Sequence, residues 1–199
     1  MQNLNELEYV ILDVETTGLS PQGGDRVVEI AALKVKDSKP VEKYHSLINP
    51  ERNISWGAFM VNRISQEMVE AAPTFQRIVS QLMEFLGDTP CLVAHNASFD
   101  MGFLRNELFL ANCPLKQEWN ILDTVKMSRA LLPNLLYYRL WFVARSLGID
   151  QEQEHRAMGD VYLTYQVFIR LLDIAQKKEI VDFPALLKLC GQARRGSAV

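Results

Sequence analysis

Residues 8–15 read EYVILDVE, a short apolar run of strand-forming residues that ends in two acids. Residues 27–36, VVEIAALKVK, end in a clear alternation of apolar and charged side chains. A third run, residues 41–48, follows the turn-prone stretch Asp37-Ser38-Lys39-Pro40. Three such strands, the last two joined by this short turn, predict an antiparallel meander at the start of the fold.

After the third strand the spacing of apolar residues changes from that of strands to that of helices. Residues 74–86 place apolar side chains on one helical face, with Thr74 at the N-cap. Residues 91–94 are typical of a buried strand. Further helices are predicted at residues 99–108, 124–132, 137–147 and 158–172. This order predicts an α/β domain, a mixed sheet covered by helices.

Length and composition predict one main domain. With 199 residues, 48% of them hydrophobic, the chain can bury a substantial core. We expect this domain to span residues 1–175. Residues 176–199 are expected either to dock as a short helix capped by Asp182 or to bind a partner through a tail ending in Arg194-Arg195, and the docked helix is favoured.

Composition also bears on location and partners. We expect neither export nor membrane anchoring, because a signal-like N-terminus and runs of about eighteen apolar residues are missing from the sequence. Cys91, Cys113 and Cys190 are widely spaced, which fits a reducing cytoplasm better than a disulfide framework or a zinc cluster. The formal charge of −3 argues against a protein that coats long duplexes, but not against one that grips a few nucleotides.

Three acids are expected to gather at one edge of the sheet. Asp13 and Glu15 lie two residues apart on a strand, so both side chains point to the same face, where they repel unless a cation lies between them. The pair fits either a metal site or a solvated strand end. Asp100 closes LVAHNASFD, residues 92–100, where a strand gives way to a helix that Ser98 could cap. It could complement the helix dipole or join the other acids, since α/β sheets bind ligands beyond the carboxyl ends of their strands.

A histidine and a fourth acid complete a set suited to phosphodiester hydrolysis. His155 and Asp160 lie in EHRAMGDV, residues 154–161. Alone, His155 would be interpreted as a surface histidine. With four carboxylates, however, the set could hold two Mg²⁺ or Mn²⁺ ions about 4 Å apart. A neutral imidazole, with an ordinary pKa of about 6.5, could then take a proton from the attacking water.

The motifs DVETTG at 13–18, HNASFD at 95–100 and HRAMGD at 155–160 closely resemble the three exonuclease motifs of the DEDDh, or DnaQ-like, family. The resemblance extends from about Tyr9 to Leu172. It implies an RNase H-like exonuclease fold with a mixed five-stranded sheet and helices on both faces. It also implies 3′-to-5′ hydrolysis that releases 5′-mononucleotides.

The resemblance assigns roles to the matching residues. Asp13, Glu15 and Asp160 would hold the catalytic metal. Asp13 would bridge to a second ion, supported by Asp100 partly through water. His155 would be the general base.

The resemblance also implies a pocket for the terminal nucleotide. Thr16 and Thr17 would contact its sugar and base, and Asn96 and Phe99 would shape the walls. Alternatively, the two threonines form only the turn that leaves the strand, and Phe99 belongs to the core.

Other polar residues receive structural interpretations. Asp123 is interpreted as a helix N-cap, His45 as structural and His95 as a residue that orders a strand end. The chain departs from the polymerase-associated branch of the family at Asn62-Arg63, where many relatives carry His-Gly. It departs again at residues 140–143, where they often carry Leu-Asp-Ala-Leu.

Three functions remain open at this stage. The first is a DNA exonuclease that acts on single-stranded or frayed 3′ ends in proofreading or repair, with a DNA polymerase subunit as a possible partner. The second is an RNA 3′-trimming exonuclease, which the sequence separates poorly because discrimination depends on how the 2′-hydroxyl is received. The third is a non-catalytic module that binds nucleic-acid ends or a polymerase through residues 180–189.

Overall fold

The computed structural model describes residues 4–87, 91–114, 119–150 and 156–191. A mixed five-stranded sheet forms its centre, in the order β3-β2-β1-β4-β5. The strands are β1 Tyr9–Thr16, β2 Val27–Lys36, β3 Lys39–Leu47, β4 Cys91–Ala94 and β5 Asn120–Asp123. The first three pair antiparallel, whereas β4 and β5 run parallel to β1. The predicted meander and the mixed sheet are therefore confirmed.

A short 3₁₀ turn at Leu4–Glu6 precedes β1. The α-helices are α1 Trp56–Asn62, α2 Gln66–Glu70, α3 Phe75–Leu86, α4 Ala97–Leu110, α5 Thr124–Leu131, α6 Leu140–Ser146, α7 Ala157–Lys177 and α8 Phe183–Leu189. None of the helices in the described ranges is both long and apolar enough to cross a bilayer.

Both faces of the sheet are covered, as expected for this fold. Alternate residues of β1 point to opposite sides, so Tyr9 and Ile11 join a core with α5 to α8, while Val10 and Leu12 join a core with α3 and α4. Asp13 and Glu15 continue this alternation on the same side of the strand as Tyr9 and Ile11. Both acids therefore point to the face of the sheet that α7 covers.

Several predicted helix boundaries were wrong. Ser98 does not cap α4, because it lies within that helix and Asn96 occupies the N-cap position. Thr74 does occupy the N-cap position of α3, as predicted, although its side chain makes no capping hydrogen bond. The helix predicted from Tyr137 begins only at Leu140.

The C-terminal helix α8 docks on the domain. Its Leu186 is buried in the same core as α7, and the Asp182 side chain caps it by accepting from the Ala185 N–H at 2.7 Å. Beyond it, the carbonyl of Cys190 accepts from Lys126 Nζ at 3.0 Å. The division between residues 175 and 176 stays a prediction, and Arg194-Arg195 lie outside the described residues.

Candidate active site

Three acids converge at the end of β1. Asp13 and Glu15 come from the strand, and Asp160 comes from the first turn of α7. One carboxylate oxygen from each lies within 4.8 Å of the others. The pairing of β1 with β2 shifts register between Glu15 and Thr16, so the chain departs from the regular ladder directly after the acids. The structure therefore brings together three of the four acids as one set of oxygen donors.

The fourth acid, Asp100, lies against the same strand. It is buried in the first turn of α4, and its Oδ1 accepts from the backbone N–H of Val14 at 3.1 Å. Val14 is the residue between Asp13 and Glu15. This bond places the Asp100 carboxylate beside the other acids rather than on a solvated helix end.

The carboxylates oppose one another's ionisation. Burial, followed by the charges of Asp100 and Glu15, raises the pKa of Asp13 well above its ordinary value. Burial and the nearby Asp160 raise the pKa of Glu15 to about 8. Burial likewise raises the pKa of Asp100 to about 8, although the Val14 N–H opposes the shift. A divalent cation would offset this repulsion, and carboxylate oxygens are the donors that Mg²⁺ and Mn²⁺ prefer. The residues present thus fit a metal site.

A fifth acid, Glu29, has a different environment. It lies opposite Glu15 on β2, is 1% exposed, and binds Arg156 through two hydrogen bonds of 2.7 and 3.1 Å. It also accepts from the Ala157 N–H at 3.0 Å and contacts His45 Nε2 at 2.8 Å. Burial opposes ionisation of Glu29, but these hydrogen bonds outweigh it and hold its pKa below the ordinary value.

Glu29 therefore fastens the start of α7 to the sheet, and sequence reasoning missed it. Its signal was a single acid inside the apolar run VVEIAAL. The structural interpretation of His45 is confirmed by its contact with this carboxylate.

The predicted general base His155 lies outside the described residues, directly before Arg156 in the sequence. Its role stays a prediction.

A cavity of about 510 Å³ adjoins the acids. Its walls are mainly apolar, apart from a few polar groups near Glu15. They comprise Glu15, Thr16, Gly18, Leu19, Ser55, Gly57, Ala58, Val61, Asn62 and Phe99. The volume lies in the usual range for small-ligand pockets. Of the predicted pocket residues, Thr16 and Phe99 line this cavity.

The Thr17 side chain makes its hydrogen bonds within the loop that follows β1. Its buried hydroxyl donates to Asp25 Oδ1 at 3.2 Å and accepts from the Arg26 N–H at 3.0 Å. The neighbouring Gly18 has no room for a side chain, because a Cβ there would lie 2.3 Å from the Asp25 carboxylate. These contacts favour the turn as the role of Thr17, and a contact with substrate stays a prediction.

Asn96 is exposed at the N-cap position of α4, with a left-handed φ of 68°. Its backbone N–H donates to Asp123 Oδ1 at 3.2 Å. The same carboxylate caps α5, which confirms the interpretation of Asp123. His95 contacts Thr124 Oγ1 at 2.8 Å and the Tyr138 carbonyl at 2.9 Å, so it does order the strand end. The proposed contact of Asn96 with substrate stays a prediction.

Helix α1, which the sequence analysis did not predict, forms one wall of the cavity. At its start, Ser55 Oγ donates to the Thr17 carbonyl at 2.9 Å. At its end, Asn62 is 2% exposed and its Nδ2 donates to the Thr16 carbonyl at 3.2 Å. The Asn62 side chain also hydrogen-bonds Glu15 and favours its ionised form. Both ends of α1 are thus tied to the chain that follows the acids.

Comparison with known proteins identifies relatives over most of the chain. The RNase_T exonuclease family model matches residues 10–168. A PolC-type DNA polymerase III from Clostridium perfringens is 39% identical over 160 residues, which cover 80% of this chain and 11% of that protein. The 3′-5′ exonuclease DinG from Bacillus subtilis is 34% identical over 186 residues, which cover 94% of this chain and 19% of that protein. The chain therefore spans less than a fifth of the length of either relative.

A solved structure agrees with these relatives. Exonuclease X in complex with 5′-overhanging duplex DNA aligns with a TM-score of 0.70 and 27% identity. The alignment covers 91% of this chain and 98% of that one. The resemblance therefore includes the whole arrangement of sheet and helices, as well as the short motifs around the acids.

Proposed function

The chain belongs to the DEDDh, DnaQ-like family of 3′-to-5′ exonucleases, and from that membership we propose that it removes mononucleotides from single-stranded or frayed 3′ ends of DNA. The reaction is hydrolysis of the terminal phosphodiester bond, which releases a 5′-mononucleotide. The observation that carries the proposal is the convergence of Asp13, Glu15 and Asp160 within 4.8 Å, beside a cavity large enough for a nucleotide.

Two divalent ions, Mg²⁺ or Mn²⁺, are proposed as cofactors. Asp13, Glu15 and Asp160 would hold one ion, and Asp13 with Asp100 would hold the other, partly through water. When bound, such ions supply an activated water and charge stabilisation for the leaving oxygen. Asp100 is suited to the supporting role because its hydrogen bond to the Val14 N–H fixes one carboxylate oxygen.

The protein's own groups would position the substrate. The base and sugar of the terminal nucleotide would occupy the cavity that Thr16, Val61 and Phe99 help to line. Thr17 and Asn96 would support this pocket from its margins. His155 would accept the proton of the attacking water in its neutral form, which requires a pH above its pKa in the site.

DNA is preferred to RNA as the proposed substrate because the names of two kinds of similar protein include DNA. The PolC-type relatives are DNA polymerases, and Exonuclease X was solved with a DNA duplex that carries an overhang. We propose two biological roles for this activity. One is proofreading for a polymerase, as by the epsilon subunit of bacterial DNA polymerase III, and the other is DNA repair. Co-purification with a polymerase would support the former.

A time course tests the function directly. A 5′-labelled single-stranded DNA and an RNA of the same sequence are incubated with Mg²⁺, Mn²⁺ or chelator and resolved to single nucleotides. A metal-dependent ladder descending from the 3′ end of DNA is expected, with slower loss of RNA. Faster RNA trimming would replace the DNA assignment, and a ladder of equal intensity from Asp13→Ala would refute the acid cluster as the active site. The absence of any ladder would favour the binding-module hypothesis.

A further inference from the structure

Glu29 lies on β2 directly opposite Glu15 of β1. The side chains of such a cross-strand pair point to the same face of the sheet, so Glu29 is a neighbour of the acids that are the proposed metal ligands. Its carboxylate is 1% exposed, and each of its two oxygens already has two nitrogen partners. These four contacts fill the acceptor positions of a carboxylate, so Glu29 is not suited to bind an ion itself.

The beginning of α7 depends on this carboxylate. The N-cap residue of α7 is Arg156, whose guanidinium carries only donors and so offers no oxygen to the N–H groups that follow. Glu29 supplies the missing acceptor from β2. It accepts from the N–H of Ala157, the first residue of α7, at 3.0 Å and binds the Arg156 guanidinium through two hydrogen bonds. Glu29 therefore caps α7 from a distant part of the chain.

The turn that Glu29 caps carries a proposed metal ligand. Asp160 lies in this first turn, and its N–H donates to the Arg156 carbonyl at 3.0 Å. Farther along, α7 packs against the sheet through apolar side chains such as Val161 and Val167. Apolar packing is non-directional, whereas hydrogen bonds have preferred distances and angles. The Glu29 carboxylate is therefore the group that fixes the place of the first turn of α7 relative to the sheet.

We propose that Glu29 is a positioning residue of the metal site, which sets the spacing between Asp160 and the two acids of β1 by holding the first turn of α7. The proposal rests on the proposed function, because it takes these acids as the metal ligands. One cross-strand pair then serves the site twice: Glu15 binds the ion, and Glu29 holds the helix that brings another ligand. Small divalent ions require oxygen ligands at short, nearly fixed distances, so a shift of Asp160 would weaken the site.

A second buried ion pair of the same construction provides the control. Glu107 of α4 is also 1% exposed, binds Arg26 through two hydrogen bonds of 2.8 Å and accepts from the Val27 N–H at 3.0 Å. It therefore matches Glu29 in burial, in its arginine partner and in its backbone donor. Glu107, however, joins the body of α4 to the beginning of β2, so its loss would destabilise the fold without releasing the first turn of α7.

The test compares Glu29→Gln and Glu29→Ala with the same two substitutions at Glu107. Mn²⁺ affinity is measured by calorimetry without nucleic acid, and kcat and KM are measured on an oligothymidylate at a Mn²⁺ concentration that saturates each variant. Glu29→Ala is expected to weaken Mn²⁺ binding and to lower kcat, each about 100-fold, with KM little changed. Glu29→Gln should lose about tenfold in each, because its amide oxygen can still accept from the Ala157 N–H.

Stability separates positioning from a general loss of structure. Urea unfolding should show similar losses for the matching Glu29 and Glu107 variants, whereas the folded Glu107 variants should bind Mn²⁺ and hydrolyse DNA as the wild type does. Wild-type Mn²⁺ affinity in Glu29→Gln would overturn the proposal, and this variant decides the matter if Glu29→Ala does not fold. Equal losses of affinity at both positions would also overturn it. Failure of the proposed function is a separate result, because the wild type itself would then release no mononucleotides.

Discussion

Replacing Glu15 by glutamine is expected to stabilise the metal-free protein at neutral pH. Burial and the charge of Asp160 raise the pKa of Glu15 from 4.5 to about 8. The unfolded chain releases this proton near pH 4.5, whereas the folded chain retains it, so wild-type stability falls as pH rises from 4.5 through 8. Each pH unit in that interval costs the folded state about 1.4 kcal/mol, which amounts to roughly 3 kcal/mol at pH 7.

Glutamine carries no such cost, because its amide stays neutral in both states. The gain in the free energy of unfolding should therefore be about 3 kcal/mol at pH 7 and near zero at pH 4. Urea unfolding followed by circular dichroism, with chelator and at several pH values, measures it. Glu70→Gln, at an exposed position on α2, is the control and should change stability by less than about 0.5 kcal/mol.

A second measurement compares the stability of both proteins with and without Mn²⁺. Wild-type protein should gain stability when Mn²⁺ is added, since the ion binds the folded acid cluster and offsets its repulsion. Glu15→Gln should gain much less. A variant that was no more stable than wild type at pH 7, or equally stabilised at pH 4 and pH 7, would show that burial and the neighbouring charges do not raise the pKa of Glu15 in the folded protein.

Three further outcomes are expected. Glu29→Ala should lower the free energy of unfolding by about 2–3 kcal/mol, because it removes the carboxylate that Arg156 binds. This loss is smaller than that expected for a fully buried ion pair, since Arg156 is partly exposed. Urea unfolding, with Glu70→Gln again as the control, measures it. Asn62→Ala should weaken Mn²⁺ binding about tenfold in calorimetry by releasing Glu15, and a change in stability alone would contradict this. Mn²⁺ affinity should rise with pH up to about 8, because Glu15 and Asp100 must lose their protons before they bind the ion. Calorimetry at pH 7 in two buffers of different ionisation enthalpy should detect the released protons. An affinity that did not depend on pH would refute the prediction.

The elements that sequence analysis predicted are those with a regular apolar pattern. The strands β1 and β2 are nearly continuous runs of buried residues between two covered faces, and the helix α3 buries helically spaced residues. Both patterns can be detected in the sequence alone. The acids were found because each lies in a short motif at the end of such an element. Their convergence at one place follows from the order of the strands.

The elements that were missed depend on distant partners. Helix α1 is seven residues long and mostly exposed, so it has no apolar stripe to detect. Its place is set by Ser55 and Asn62, which bind backbone carbonyls 38 and 46 positions earlier in the chain. Glu29 likewise acts through Arg156, 127 positions away. Such pairings depend on tertiary structure, and a local sequence window does not contain them.

The acid cluster draws its members from opposite ends of the chain. The bond between Val14 and Asp100 joins residues 86 positions apart, and Asp160 arrives only with the last long helix. Contacts of such long range are slow to form, because closing a long loop costs chain entropy before the contact can stabilise it. A chain still emerging from the ribosome, or one trapped in a partly folded state, therefore lacks the complete cluster of proposed metal ligands. The proposed hydrolysis would begin only when α7 packs against β1, so the activity would be coupled to completion of the fold.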